Sequence, residues 1–413
     1  MTEDLTPPQP APAWALSPVL PVTKPEPAAA PTPPRRRKGL LLMVAVLAGG
    51  AAGGLVTSSF GSDGATSRAA DVVQRSSLAI AQTATLKSAA GTPESAAATI
   101  APSVVTVEVS GTQISNSPFG GTQAAPVSDT GSGVVLRSDG YVLTNNHVVA
   151  AAEAGGSVHI TLSDGRTVAA TIVGHDATDD LAVLKATGVT GLTSAVFAPS
   201  AQLRVGQAVL AVGAPLGLAN TVTQGIVSTL HRPVATGEAG ASAQSVIDAV
   251  QTVAAINPGN SGGALVDLAG RVVGINSAIA STGSSGSGQA GNIGVGFAIP
   301  SDDAARVADQ LIATGHATHA QLGTAAGDAA SGTDGAPGLG ATIQRVTAGG
   351  PAARAGLQVG DVVTRLGDRV VTEANGLIVA VRSHDPGSVV GISYLRGGVA
   401  GSTTATLAGA PSD

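Results

Sequence analysis

From about Ala96 onward, apolar residues fall in short β-branched runs broken by Gly and Asp turns. Val104 to Val109 is such a run, followed by Gly133 to Leu136, the turn Ser138-Asp139-Gly140, and Tyr141 to Thr144. Val158 to Leu162, the turn Ser163-Asp164-Gly165 and Thr167 to Val173 repeat the pattern. Leu181 to Leu184, Ala208 to Val212, Gly225 to Leu230, Gly263 to Val266 and Arg271 to Ile275 extend it. Many short strands with tight turns indicate an all-β barrel or sandwich. Helical spacing is rare. Ser242 to Val250 is one candidate; Asp302 to Thr314 is another, with Ser301 as its expected cap after Pro300 and Gly315 as its stop. Residues 316–338 are Gly/Ala/Ser-rich and read as loop. Leu339 to Leu407 carries strands at Thr342 to Val346, Val362 to Leu366 and Val389 to Leu395 around two short helical patches, predicting a small separate α+β unit.

The chain before residue 96 has a different texture. Residues 1–38 are Pro/Ala-rich, lack periodicity, and end in Arg35-Arg36-Arg37-Lys38, so a disordered tail is expected. Gly39 to Phe60 follows without a charge, and roughly 20 residues of helix span the hydrocarbon layer. This predicts a single transmembrane helix over 39–60 whose basic flank stays in the cytoplasm, leaving the rest extracytoplasmic. A late-cleaved signal segment is the alternative. Residues 61–95 read as a flexible linker.

Composition narrows the chemistry. Aromatic residues are 2% of the 413, so Val, Ile, Leu and Ala must fill the core. A formal net charge of -6 gives no basis for nucleic-acid binding. With no cysteine there is no disulfide, thiolate metal site or cysteine nucleophile. His316 and His319 could share a face as metal ligands but lack a third partner, so no metal and no cofactor is expected.

Asn257-Pro258-Gly259-Asn260-Ser261-Gly262-Gly263 sets a serine on a glycine turn, where main-chain N–H groups can approach a carbonyl. Acyl transfer by serine also needs an imidazole base and a carboxylate to orient it. Of the seven histidines, His147 stands out because it closes a strand in Thr144-Asn145-Asn146-His147. Of Asp176, Asp179 and Asp180, the last directly precedes an apolar strand and is best placed to point inward, with Asp179 facing the other way. The chain order His147, Asp180, Ser261, with a strand after the serine, excludes an α/β-hydrolase elbow.

These segments resemble the HtrA/Deg family of trypsin-fold serine proteases, and the resemblance runs from about Pro102 to Leu407. It rests on Thr144 to Val148, Asp180 to Leu184 and Asn257 to Leu265, with Gly213 to Gly217, Gly225 to Ser228 and Gly291 to Pro300 in support. It implies a mainly β chymotrypsin/trypsin-like double β-barrel over residues 96–304, a connecting helix and linker over 305–318, and a small α+β PDZ domain over 319–408. By the same resemblance, His147 is the base, Asp180 orients it, Ser261 attacks, and the oxyanion hole is formed at Gly259, Asn260 and Ser261. Asn260 stands where digestive proteases of this fold carry Asp, so activation by N-terminal clipping is not expected and loop ordering must supply control. Val253 departs from the Asp common in the family. A pocket at Ala255, Ile256 and Ile279 implies cleavage after small or medium aliphatic residues.

Gly349 to Leu357 and Val359 to Val363 resemble a PDZ domain, which captures peptide C-termini by strand addition. Leu322-Gly323 is the expected carboxylate loop, with Gly338-Leu339-Gly340 as the alternative. The family resemblance thus implies a membrane-anchored serine endopeptidase of extracytoplasmic protein quality control that cuts unfolded polypeptides. A peptide-binding, chaperone-like module on an inactive protease scaffold is the competing reading. A homotrimer is compatible with the family, although Phe119 is the one aromatic available near its expected contact region.

Overall fold

A computed structural model describes residues 89–116, 122–153, 155–215, 221–236, 245–278, 294–329 and 340–411. The expected tail, membrane helix and most of the linker lie outside the described residues, as do Ile279 and Phe119. No helix among the described residues is long and apolar enough to cross a membrane.

Twelve strands close into two six-stranded barrels. The first barrel contains β1 (Val104–Asn116), β2 (Thr122–Val135), β3 (Tyr141–Thr144), β4 (Ser157–Thr161), β5 (Thr167–Asp176) and β6 (Leu181–Ala186), in the order β1-β2-β3-β6-β5-β4. The second contains β7 (Ala208–Gly213), β8 (Thr221–Thr236), β9 (Ser245–Thr252), β10 (Ala264–Val266), β11 (Val272–Ser277) and β12 (Gly296–Pro300), in the order β10-β11-β12-β9-β8-β7. Closure leaves no free sheet edge in either barrel.

Each barrel has its own aliphatic interior. Val105, Val107, Val142 and Leu184 fill the first, and Val209, Val227, Leu265 and Ala298 fill the second. A third cluster joins them: Val134, Leu143 and Val183 from the first barrel meet Leu210, Val266 and Ile299 from the second. Two helices pack into that junction. Helix α1 (Pro93–Ile100) begins at Thr92, whose side chain accepts from Ser95 N while Ser95 Oγ accepts from Thr92 N, and it buries Ala96 and Ile100. Helix α2 (Asn146–Glu153) follows β3, and helix α3 (Ser301–Thr314) follows β12. Ala304, Val307, Ala308 and Leu311 of α3 belong to the junction core, so the expected connecting helix is part of the barrel packing. Full burial of a side chain such as Val307 or Leu311 contributes about 1.5–3 kcal/mol.

Three local expectations are corrected. In place of the helix expected over Ser242 to Val250, the described residues Ser245–Thr252 form strand β9, held between β8 and β12. Because Val246, Ile247, Ala249 and Val250 are all buried, the strand lacks the clean alternation that would mark it in sequence. Ser301 does not cap α3; its hydroxyl donates to Ala198 O at 2.6 Å, and Pro300 takes the cap position without a side-chain hydrogen bond. Gly315 does end the helix, at φ 81°. Residues 316–338 include two strands, β13 (Thr318–Gln321) and β14 (Thr324–Asp328).

The C-terminal unit is a sheet in the order β14-β15-β16-β18-β19, formed with β15 (Ala341–Val346), β16 (Val362–Leu366), β18 (Val389–Arg396) and β19 (Val399–Thr406). The short β17 (Arg369–Val370) pairs with β16, and β13 pairs separately with β20 (Ala408–Pro411). Helices α4 (Pro351–Arg354) and α5 (Ala374–Arg382) cover a core of Leu322, Ile343, Leu366, Leu377 and Ile392. The unit abuts the second barrel. Arg369 Nη2 lies 2.6 Å from Asp248 Oδ2, and Arg382 Nη1 donates to Val246 O at 3.1 Å.

Candidate active site

The junction of the two barrels brings together residues from both. Thr144 ends β3, and its hydroxyl donates to Ser132 O at 2.7 Å, fixing where the chain turns into α2. His147 therefore lies in the first turn of α2 rather than at a strand end. Its Nδ1 is 2.9 Å from Asp180 Oδ1 and 2.9 Å from Oδ2, and its backbone N–H donates to Oδ1 at 3.1 Å. The carboxylate orients both the ring and the first turn of the helix.

Asp180 is 4% exposed and lies just before β6 with φ 54°, a left-handed conformation costly for a non-glycine residue. Neighbours hold it there: Asn145 Nδ2 donates to Asp180 O at 2.8 Å, and Ser277 Oγ donates to Asp180 Oδ2 at 3.1 Å. Ser277, at the end of β11, carries no signal of this role in the sequence. A serine ending a buried strand is common, and its partner lies 97 positions away.

Ser261 is 5% exposed on the turn before β10. Gly259 has φ 94° and Gly262 has φ 80°, both outside the range of most side chains. Between them the loop is clamped to the first barrel by Ser132. Ser132 N–H donates to Ser261 O at 2.7 Å, and Ser132 Oγ donates to Gly259 O at 2.6 Å and accepts from Ala214 N at 2.8 Å. Ser132 too carries no mark of this role in the sequence. Among the described residues, the N–H groups of Gly259 and Ser261 have no hydrogen-bond acceptor, while the Asn260 N–H donates to Asn257 O at 3.0 Å. Ser261 Oγ accepts from Ala278 N at 3.1 Å; no hydrogen bond joins it to His147. Asn260 is 3% exposed beneath the loop.

Of the expected specificity residues, Ile256 is buried within the second barrel's interior, and Ala255 O accepts from Thr223 Oγ1 at 2.8 Å. A Cβ added at Gly296 would lie 3.0 Å from Ile256 Cδ1, so that glycine leaves space beside the isoleucine. In the C-terminal unit, Leu322 and Gly323 link β13 to β14, with Gly323 at φ 75°. Of the alternative loop, Gly338 and Leu339 lie outside the described residues, and Gly340 immediately precedes the inner strand β15.

A second polar cluster lies behind Asp180. Asp179 is buried too, facing away from His147 toward α3 and β13. Its Oδ2 is 3.8 Å from Arg306 Nη2 and 3.7 Å from His319 Nδ1. His319 Nε2 lies 2.8 Å from Asp176 Oδ2. Burial pushes the Asp179 carboxyl up to about 6, against the pull of His319. Burial also raises Asp303, partly offset by Arg306, and lowers Arg382. Ligand atoms of Asp176, Asp179 and His319 lie within 4.8 Å of one another, the spacing a cation would need. The guanidinium of Arg306 already brings positive charge to this cluster.

Comparison with known proteins agrees with this architecture. Residues 131–275 match the trypsin-like peptidase domain family, and residues 291–407 match the PDZ domain family. The chain is 48% identical over 312 residues to the serine protease PepD of Mycobacterium tuberculosis, covering 74% of this chain and 63% of PepD. It is 39% identical over 301 residues to the serine protease Do-like HtrA of Lactococcus lactis subsp. cremoris, covering 70% of this chain and 72% of that protein. The solved structure of the HtrA-type protease AlgW with a decapeptide aligns with TM-score 0.55 and 32% identity, covering 78% of this chain and 99% of that one.

Proposed function

Because this chain belongs to the HtrA family of trypsin-fold serine endopeptidases, we propose that it cleaves unfolded or exposed polypeptides through Ser261, His147 and Asp180. The observation carrying this reading is the bidentate approach of His147 Nδ1 to Asp180 at the barrel junction, where Ser132 of the first barrel also holds the Ser261 turn. The Asp180 carboxylate keeps a proton on Nδ1, so Nε2 is the basic nitrogen. As Ser261 Oγ attacks the substrate carbonyl, Nε2 takes its proton and later delivers it to the leaving amine. The imidazolium formed in between is stabilised by Asp180, and Ser277 donates to the same carboxylate. The oxyanion is received by the unengaged N–H groups of Gly259 and Ser261, with Asn260 shaping the loop between them.

For attack, the Ser261 hydroxyl, which accepts from Ala278 N–H, turns its proton toward His147 Nε2. With Asn260 in place of the Asp of digestive proteases, control would act through the ordering of this turn. Ala255, Ile256 and Ile279 would form an uncharged pocket suited to small or medium aliphatic residues. Leu322 and Gly323 would hold the carboxylate of a peptide C-terminus in the PDZ unit. Residues 39–60 would anchor the enzyme with its catalytic part extracytoplasmic, in line with the periplasmic endoproteases DegQ and DegP of Escherichia coli among its relatives. Work on misfolded proteins there is protein quality control.

The test is cleavage of unfolded casein by the full chain and by its Ser261→Ala variant. Cleavage by the first alone supports the assignment; equal cleavage by both sinks it. Labelling of Ser261 by a fluorophosphonate, with no turnover of casein, would mark a competent triad held in its resting state. Absence of both would favour the inactive, peptide-binding scaffold.

A further inference from the structure

The C-terminal sheet leaves one strand side open next to a cavity. β14 is the outer strand in the order β14-β15-β16-β18-β19, and such an edge is a template for an added strand. It borders a cavity of about 500 Å³, where Leu377, Ile378 and Val381 of α5 present an apolar wall. On the reading given above, a ligand carboxylate sits at Leu322-Gly323, so the ligand chain runs antiparallel to β14.

The register then decides which side chains meet what. Successive residues of the added strand face opposite ways. If the last ligand residue points at Leu377 and Val381, residue -2 points the same way and residues -1 and -3 point outward. Ala325 pairs with Arg345 of β15, and a bulge follows between Ala325 and Ala326. Ile343, Val346 and Ala326 pack toward the core, whereas Gln344 and Arg345 are exposed on the other side. Arg345 lines the cavity, and the small Ala325 leaves its path to the ligand open. Among the described residues, the Arg345 side chain has no ion pair or hydrogen bond.

We propose that Arg345 makes this groove select polypeptides whose C-terminus bears an aliphatic last residue and an acidic side chain at position -1 or -3. The proposal rests on the assignment of the groove as a C-terminus binder, and supplies the chemical class of its partner. The guanidinium would meet the carboxylate at a partly solvated rim, where complementary charge contributes specificity more than raw affinity.

Fluorescence anisotropy on the full chain carrying Ser261→Ala, so that probes are not cut, tests this directly. The probes are labelled seven-residue peptides ending in Val, with Glu, Gln or Lys at both -1 and -3, and the Glu peptide again with an amidated C-terminus. We expect the Glu peptide to bind roughly tenfold tighter than the Lys peptide at low salt, with the gap narrowing as salt rises. Arg345→Gln should erase that order and Arg345→Glu should reverse it, with unchanged thermal melts because the side chain is exposed. Equal binding of all three peptides, or an order untouched by Arg345→Glu, overturns the proposal and leaves the groove assignment standing. Failure of every peptide to bind, or equal binding of the amidated peptide, overturns the groove assignment and the proposal with it.

Discussion

His319 Nε2 lies 2.8 Å from Asp176 Oδ2, joining the first strand of the C-terminal unit to the segment that ends in Asp180. Both groups are buried, at 5% and 0% side-chain exposure. His319→Ala would leave the Asp176 carboxylate in the interior without this imidazole. We expect a loss of about 3 kcal/mol in unfolding free energy, read by urea denaturation in a Ser261→Ala background. A loss under about 0.5 kcal/mol would show that the pair does not hold the two parts together.

Asp179 gives a pH dependence of opposite sense to an ordinary paired carboxylate. Burial raises it from 3.8 to about 6, so the folded state binds its proton more tightly than the unfolded chain does. Its contribution is therefore most favourable below 3.8, falls as pH rises toward about 6, and is constant above that. Asp179→Asn keeps the shape and removes the titration. Its melting temperature, measured from pH 4 to pH 8, should rise relative to the parent up to about pH 6 and keep a constant difference above that. A difference independent of pH would contradict the raised carboxyl.

Asp180 and Ser277 should differ sharply in weight. Asp180→Asn allows the imidazole to settle in the wrong tautomer and should lower kcat by about 10⁴. Ser277→Ala removes one of several hydrogen bonds to that carboxylate and should lower kcat/KM about fivefold. Both are read by hydrolysis of a peptide cut after valine. A Ser277→Ala loss as deep as that of Asp180→Asn would mean the serine hydroxyl has a larger part than orientation.

Gly262→Ala tests the turn itself. At φ 80° the residue is in a region that strains alanine, and an added Cβ would run into Ser132 O and Thr144 Oγ1. We expect loss of more than about 2 kcal/mol in stability together with loss of fluorophosphonate labelling. Normal labelling would show that the nucleophile turn tolerates a different backbone path.

Legibility in the sequence followed the range of the constraint. Asn257 to Gly263 could be read because positive φ at Gly259 and Gly262 is a local demand that glycine meets in place. Asp180 could be preferred over Asp179 because it directly precedes an apolar strand. The same alternation argument understated Asp179, which faces away from His147 yet is buried by α3 and β13. β9 carries no strand signature in the sequence because its residues are covered on both faces and the period of two is lost.

The sequence by itself determined the turns, the short strands, the aliphatic character of the core, and the order of His147, Asp180 and Ser261. These depend on backbone freedom and residue type over a few positions. Only the tertiary structure decided that Ser277 holds Asp180, that Ser132 clamps the nucleophile loop, and that His319 reaches Asp176 from 143 positions away. Those partners carry no periodic or local mark, because a hydrogen bond between distant segments is specified by how closed barrels and helices pack, and not by spacing along the chain.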